Sequence, residues 1–323
     1  MTHQPGKKKV LVLGTGGTIA GVAADPGDNV GYVAGSVAVE SLLSRLAPSL
    51  RQRLRLSSEQ ICQVDSKDMD FAIWAALARR VVQALSDPDV SGVVITHGTD
   101  TLEETAYFLH QVSDAMKPVV LTCAMRPDSS AQSDGPQNLA DALAVAVSEE
   151  ARGVVVVCAG RVHSPEHVQK VHTYRLDPFD SGDAGLVALV EEGRVRSMGH
   201  WPGAVRIMDP LDLPPDGPWP RVEIVTNQVQ ADGWLPRALL AAGGLDGLVV
   251  AGTGNGSLSK PLTQALLACQ AAGVEIRRVS RCLGGPLLPV PGENFLAEGG
   301  LSAAKARIKL ILELLAQRQK ALR

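Results

Sequence analysis

The chain has 323 residues, a net charge of −3, 45% apolar residues and only 3% aromatic residues, which is enough for two domains with sizeable cores. Few aromatics and no long basic run leave neither a stacking platform nor a phosphate-tracking surface, so nucleic acid is excluded as the expected partner. No apolar stretch reaches membrane-spanning length. The five cysteines, Cys62, Cys123, Cys158, Cys269 and Cys282, are widely spaced without a C-x-x-C pair, which suits a reducing, cytoplasmic setting.

Lys9–Leu13 reads as a first strand running into Gly14-Thr15-Gly16-Gly17-Thr18-Ile19-Ala20-Gly21. Glycines here supply positive φ and close backbone approach. A dinucleotide fingerprint needs a third glycine where Ile19 stands, which argues against a nucleotide-binding dehydrogenase. Ala24–Gly31 is a loop by composition, with Tyr32 directly after it. A helix is expected over Val37–Leu46, and a strand over Gln60–Val64. Asp65-Ser66-Lys67-Asp68-Met69-Asp70 then leads into a helix built on Ile73, Leu77, Val81 and Leu85. Asp68 or Asp70 can cap that helix, leaving Ser66 and Lys67 free to meet a ligand.

The stretch Val93–Val112 carries the strongest signal. Val93, Val94 and Ile95 favour a buried strand, and Leu102, Ala106 and Leu109 recur at helical spacing. Between them lies His97-Gly98-Thr99-Asp100-Thr101. Thr99, Asp100 or Thr101 can cap the helix, and Thr101-x-x-Glu104 has capping-box spacing. Capping needs one of these groups; the others crowd the carboxyl end of a strand, where open α/β sheets bind ligands.

Pro118–Thr122 is the next strand. Ser133 or Asp134 as cap, with Pro136 in the first turn, starts a helix burying Leu139, Leu143 and Val147. Gly153–Cys158 is a further parallel-type strand, followed by short strands through Val195. His163 and His167 are four apart, but Pro165 between them argues against a shared metal-binding face, so no metal is expected. The proline-rich segment Gly199–Pro220 reads as a linker. After it the pattern restarts as a βαβαβ unit: strands Val222–Val225, Gly247–Ala251 and Val274–Ser280, helices Leu235–Ala241 and Pro261–Ala272. A last helix, Leu301–Gln317, has Ser302 as its cap.

The fold expected is α/β: two three-layer α/β domains, a larger N-terminal one (1–198) with a mostly parallel sheet, a linker (199–220), and a smaller Rossmann-like C-terminal one (221–323).

Thr15-Gly16-Gly17-Thr18-Ile19-Ala20-Gly21 and Thr96-His97-Gly98-Thr99-Asp100-Thr101-Leu102-Glu103-Glu104-Thr105-Ala106 resemble the two signatures of the bacterial-type L-asparaginase/glutaminase family. The likeness extends to Ala124-Met125-Arg126-Pro127, Ser133-Asp134-Gly135, Asn138-Leu139 and Gly254-Asn255-Gly256. It implies hydrolysis of the side-chain amide of a small amino-acid substrate, with no metal or organic cofactor. By motif position it makes Thr18 the nucleophile and Tyr32 its partner in proton handling. Thr99, Asp100 and Lys170 become a second hydroxyl-carboxylate-amine set, Ser66 the holder of the substrate's α-carboxylate, and Asp100 that of its α-ammonium. Lys170 enters through the resemblance alone. Lys67 stands beside the binding serine where many members have Gln or Glu. The acidic residue that the second domain of the family lends to a neighbouring subunit has no clear counterpart in Cys282–Pro291, Glu293 being displaced. A homodimer or homotetramer is implied as well. The alternative is a catalytically silent amino-acid-binding or regulatory protein of the same fold.

Overall fold

The structure, a computed structural model, describes residues 7–215 and 217–322; residues 1–6, 216 and 323 of the expected domains and linker lie outside the described residues. The chain forms two compact units, Met1–Pro215 and Asp216–Arg323, each with its own sheet.

In the first unit the strands are β1 (Lys9–Gly16), β2 (Val22–Ala23), β3 (Tyr32–Val33), β4 (Arg55–Val64), β5 (Val90–Thr96), β6 (Val119–Thr122), β7 (Val154–Cys158), β8 (Arg161–His163), β9 (Gln169–Lys170), β10 (Phe179–Asp180), β11 (Ala188–Glu191) and β12 (Arg194–Ser197). Eight of them make one sheet in the order β12-β11-β8-β7-β6-β5-β1-β4. Pairing is parallel from β4 through β7 and antiparallel from β7 to β12. The helices are α1 (Val39–Ser44), α2 (Pro48–Arg53), α3 (Phe71–Ser86), α4 (Leu102–Ser113) and α5 (Gly135–Ala146). Val10, Val12, Val94, Val120 and Val155 pack with Leu42 and Leu43 of α1 and Leu139 and Leu143 of α5. Strand alternation turns the equally buried Leu11, Leu13, Val93, Ile95 and Leu121 to the opposite face. Helices α3 and α4 meet through Trp74 stacked on Phe108, ring centroids 4.7 Å apart.

Strand β4 is longer than its expected Gln60–Val64 because it is an edge strand. It pairs with β1 from Lys9↔Arg55 to Gly14↔Gln60, while Leu56, packed against the core, is the single apolar residue of Arg55–Glu59, too few for alternation to be read. The expected helix at Val37–Leu46 is reduced to α1. Part of the proline-rich segment packs on the first unit: Ile207 N–H donates to the Gln111 carbonyl at 2.7 Å, and Met208 and Leu213 are buried.

The second unit has four parallel strands in sequential order, β13 (Val222–Thr226), β14 (Gly247–Gly252), β15 (Glu275–Ser280) and β16 (Leu296–Ala297). Helices α6 (Trp234–Ala242) and α7 (Lys260–Ala271) contribute Leu240, Leu262 and Leu266 to its core, with Leu248, Val250 and Ile276 from the strands. Helix α8 (Ala303–Leu322) completes the unit, and Ser302 Oγ accepts from Lys305 N–H at 3.4 Å. Two-residue β16 lies below the length at which alternation can be read, and it has no counterpart among the expected strands. Among the described residues no helix is long and apolar enough to cross a membrane.

Candidate active site

Three parallel neighbours, β4, β1 and β5, end on the same side of the sheet. The chain leaves β1 to one side for β4 and returns to the other for β5, the switch point at which α/β sheets open a crevice. The loops after these strands hold Thr18, Ser66 and Thr99.

At the end of β1, Gly16 and Gly17 adopt φ of 105° and 78°, a region that side chains strain to enter. A Cβ on Gly17 would lie 2.3 Å from both N and Cα of Gly98, so glycine here lets the β1 and β5 loops touch. Thr18 opens a single 3-10 turn, Thr18–Ala20, and is buried. Its Oγ1 lies 2.6 Å from the Tyr32 hydroxyl. Tyr32 belongs to a small antiparallel hairpin in which Ala23 pairs with Tyr32, and Ala23 N–H donates to Ser129 Oγ at 2.8 Å. Thr15, adjacent in the motif, spends its hydroxyl on the Thr96 carbonyl at 2.9 Å and serves to join β1 to β5.

After β5, the expected capping does not occur. Thr101 occupies the cap position of α4 without a side-chain cap bond; its hydroxyl donates instead to the Ser66 carbonyl at 2.7 Å. The Asp100 N–H donates to Ser66 Oγ at 3.2 Å, so the buried Ser66 turn is fastened to the β5 loop. Lys170 Nζ donates to Thr99 Oγ1 at 2.9 Å and to Asp100 Oδ1 at 2.5 Å. Thr99, Asp100, Lys170 and Ser66 thus form one bonded set, and Thr18 with Tyr32 forms another on the touching glycine turn. Asp100, Glu103, Lys170, Val171, His172 and Thr173 line an open cleft of about 520 Å³.

Lys67 is exposed and ion-paired to Asp65, with Asp68 at 4.0 Å; the hydrogen bond to Asp65 raises its ammonium above the usual lysine range. Capping of α3 falls to Asp70, which accepts from Ile73 N–H at 2.8 Å. Glu293 pairs with Arg278 at 3.4 Å within the second unit. His163 Nδ1 meets Ser181 Oγ at 2.8 Å, and among the described residues no group of three or more His, Cys, Asp or Glu side chains gathers to hold a metal ion.

Three residues of the motifs make contacts that the sequence did not foreshadow. Glu103, which suits the positive end of α4, also accepts from the Lys170 backbone N–H at 2.5 Å, fixing the two-residue strand β9 that carries the lysine. Asp134 makes no cap bond to α5; its carboxylate accepts from the backbone N–H groups of Met125 and Arg126 at 3.0 and 2.9 Å. Asn138 Oδ1 accepts from Ala159 N–H at 2.9 Å. Each is a contact from side chain to a distant backbone group, which leaves no mark on local periodicity.

Residues 9–202 match the family model described as "Asparaginase, N-terminal", and residues 221–321 match "Glutaminase/Asparaginase C-terminal domain". The chain is 36% identical to L-asparaginase 2 of Bacillus subtilis, covering 94% of this chain and 82% of that protein. It is likewise 36% identical to L-asparaginase 2 of Escherichia coli, covering 94% and 88%. It is 35% identical to the glutaminase-asparaginase of Pseudomonas fluorescens biotype A, covering 94% and 86%. Among solved structures it is similar to a probable cytoplasmic L-asparaginase from Campylobacter jejuni, with a TM-score of 0.86 and 34% identity over 97% of this chain and 98% of that one.

Proposed function

From the premise that the chain belongs to the asparaginase family and is an amidohydrolase, we propose that it hydrolyses L-asparagine to L-aspartate and ammonia with Thr18 as nucleophile, and glutamine as a secondary substrate. The observation that carries this proposal is the pairing of two buried threonine hydroxyls with two different proton-handling groups, Thr18 with Tyr32 and Thr99 with Lys170.

A threonine hydroxyl is a weak nucleophile until its proton has somewhere to go. Tyr32 Oη, 2.6 Å from Thr18 Oγ1, receives it as Oγ1 bonds to the amide carbon and in the same step passes its own phenolic proton on toward the leaving nitrogen. The C–N bond then breaks, ammonia leaves with the proton, and the acyl-threonine ester is hydrolysed by water. An ammonium can only donate, so Thr99 Oγ1 accepts from Lys170 and its own hydrogen is directed elsewhere, toward the water or the leaving nitrogen. Asp100 supplies negative charge for the substrate's α-ammonium and the Ser66 turn the hydroxyl for its α-carboxylate, with Lys67 adding positive charge at the rim. Backbone N–H groups of the glycine turn and of the Thr99 segment face the developing oxyanion, worth roughly 3 kcal/mol for each such donor.

The test is ammonia release from asparagine and glutamine by wild type, Thr18→Ala, Thr99→Val and Lys170→Met. Losses of orders of magnitude in folded variants are expected. Wild-type turnover by Thr18→Ala removes the assigned nucleophile, and tight amino-acid binding without turnover in the wild type marks a silent binding protein. A homodimer or homotetramer goes with this proposal through the family resemblance, and a cytoplasmic location through the five free cysteines; sedimentation of an active monomer, or activity recovered from the periplasm, overturns that part.

A further inference from the structure

The loop after β5 holds a side chain that the chemistry above does not use. His97 is fully buried, and burial pushes its imidazole down to about 4, so the ring carries a single proton near neutrality. A carbonyl oxygen only accepts, so the 2.7 Å approach of Nδ1 to the Gly98 carbonyl puts that proton on Nδ1. Nε2 is then an acceptor, and the Thr105 hydroxyl at 2.9 Å donates to it. That hydroxyl accepts in turn from the Trp74 indole N–H at 2.9 Å. Every hydrogen in the row has one direction, from Trp74 to Thr105 to His97 to the Gly98 carbonyl.

A trans peptide is planar, with its carbonyl and its N–H on opposite sides. Holding the Gly98 carbonyl toward the imidazole turns the N–H of the same peptide unit, that of Thr99, the other way. Thr99 is buried, and no hydrogen bond among the described residues uses its N–H. Buried backbone donors are nearly always paired, so one without a protein partner in the loop that abuts the Thr18 turn is placed to bond a substrate atom. Gly98 packs directly on Gly17, the residue before Thr18.

We propose that His97 is a positioning residue for the oxyanion site: its bond to the Gly98 carbonyl, backed by Thr105 and Trp74, presets the Thr99 N–H to receive the oxyanion formed when Thr18 attacks. This rests on the amide-hydrolysis proposal above. A donor aligned before the reaction needs no reorganisation during it, which is where such groups gain their effect. Imidazole suits the task because its two nitrogens bond in opposite directions from one rigid plane, one to the loop and one to the helix α4.

The experiment compares the full chain with His97→Phe, His97→Asn and Thr105→Val in ammonia release from asparagine. Phenylalanine fills the space without a donor; asparagine places an amide N–H close to where Nδ1 stands. His97→Phe is expected to lower kcat about a hundredfold, with KM changed by less than roughly threefold. His97→Asn recovers most of that loss, and Thr105→Val falls between. Wild-type kcat in His97→Phe, or no recovery in His97→Asn, overturns the proposal. If His97→Phe does not fold, Thr105→Val decides alone: a lower kcat at unchanged KM supports the assignment and an unchanged kcat overturns it. Nitrogen NMR of the wild type gives a readout independent of turnover, with the neutral Nδ1–H tautomer expected between about pH 5.5 and 8 and the Nε2–H tautomer overturning the assignment. Wild type that releases no ammonia sinks the amide-hydrolysis proposal, and the tautomer then still judges the His97 row.

Discussion

Two junctions of the same kind, parallel strand into loop into helix, treat their polar residues in opposite ways. Between β14 and α7, Ser259 caps its helix by accepting from Leu262 N–H at 3.3 Å. Asn255 exchanges two bonds with the Leu288 backbone at 3.0 and 2.7 Å, and Arg278 closes on the carbonyls of Asn255 and Gly256 at 3.2 Å each. Here the serine is spent on the cap, and Asn255 is spent on backbone groups that hold the loop's shape. Between β5 and α4, Thr101 makes no cap bond, and Thr99, Asp100 and Thr101 reach Lys170 and Ser66 from distant parts of the chain. A polar group at a strand's end is available for chemistry when the helix behind it has not claimed it.

The sharpest way to break this contrast is Thr18→Ala. Removing a nucleophile that acts with partners lowers turnover about 10⁴-fold or more, and the loss is read as ammonia release with thermal unfolding checked in parallel. Next is Lys170→Met, expected to cost about 10²- to 10⁴-fold, the range for a positioned proton-transfer group. Because Lys170 bonds Thr99 directly, adding Thr99→Val to it should cost little more, since residues acting as a unit are not additive. Full additivity in that double variant would mean the two act separately.

A smaller effect sharpens the contrast through stability. His97 titrates at about 4 in the folded chain against about 6.5 unfolded. As pH falls through this window the unfolded chain binds a proton that the folded chain refuses. Stability is therefore full above about 6.5 and declines toward 4, by up to about 3 kcal/mol. Denaturant midpoints should fall less steeply with acid in His97→Asn than in wild type. The smallest effect belongs to the other junction: Ser259→Ala should lose about 1 kcal/mol of stability as a removed cap, while ammonia release per folded molecule stays at the wild-type level.

Much of the architecture could be read from periodicity. Val93–Ile95 against Leu102–Leu109 marks a strand and a helix without reference to anything else, and the restart at Val222 marks a second βαβαβ unit. What misled was local plausibility. Asp134 looks like a cap, yet its carboxylate holds the backbone of Met125 and Arg126, because a bent loop with two unpaired N–H groups lies within its reach. Arg55–Glu59 look like no strand at all, yet they pair along β1, because backbone bonds hold this edge strand and Leu56 alone of the five packs on the core.

The amino-acid order alone set which segments become strands and helices, where the glycines must admit positive φ, and which strand ends carry hydroxyls and carboxylates, since each depends on neighbours a few residues away. Tertiary structure alone decided that Lys170, 71 residues from Thr99, meets it, that Thr15 is used up in joining strands while Thr18 is not, and that His97 faces inward. Those outcomes depend on which strands lie side by side and in what register, a matter of packing the whole sheet at once that no local window contains.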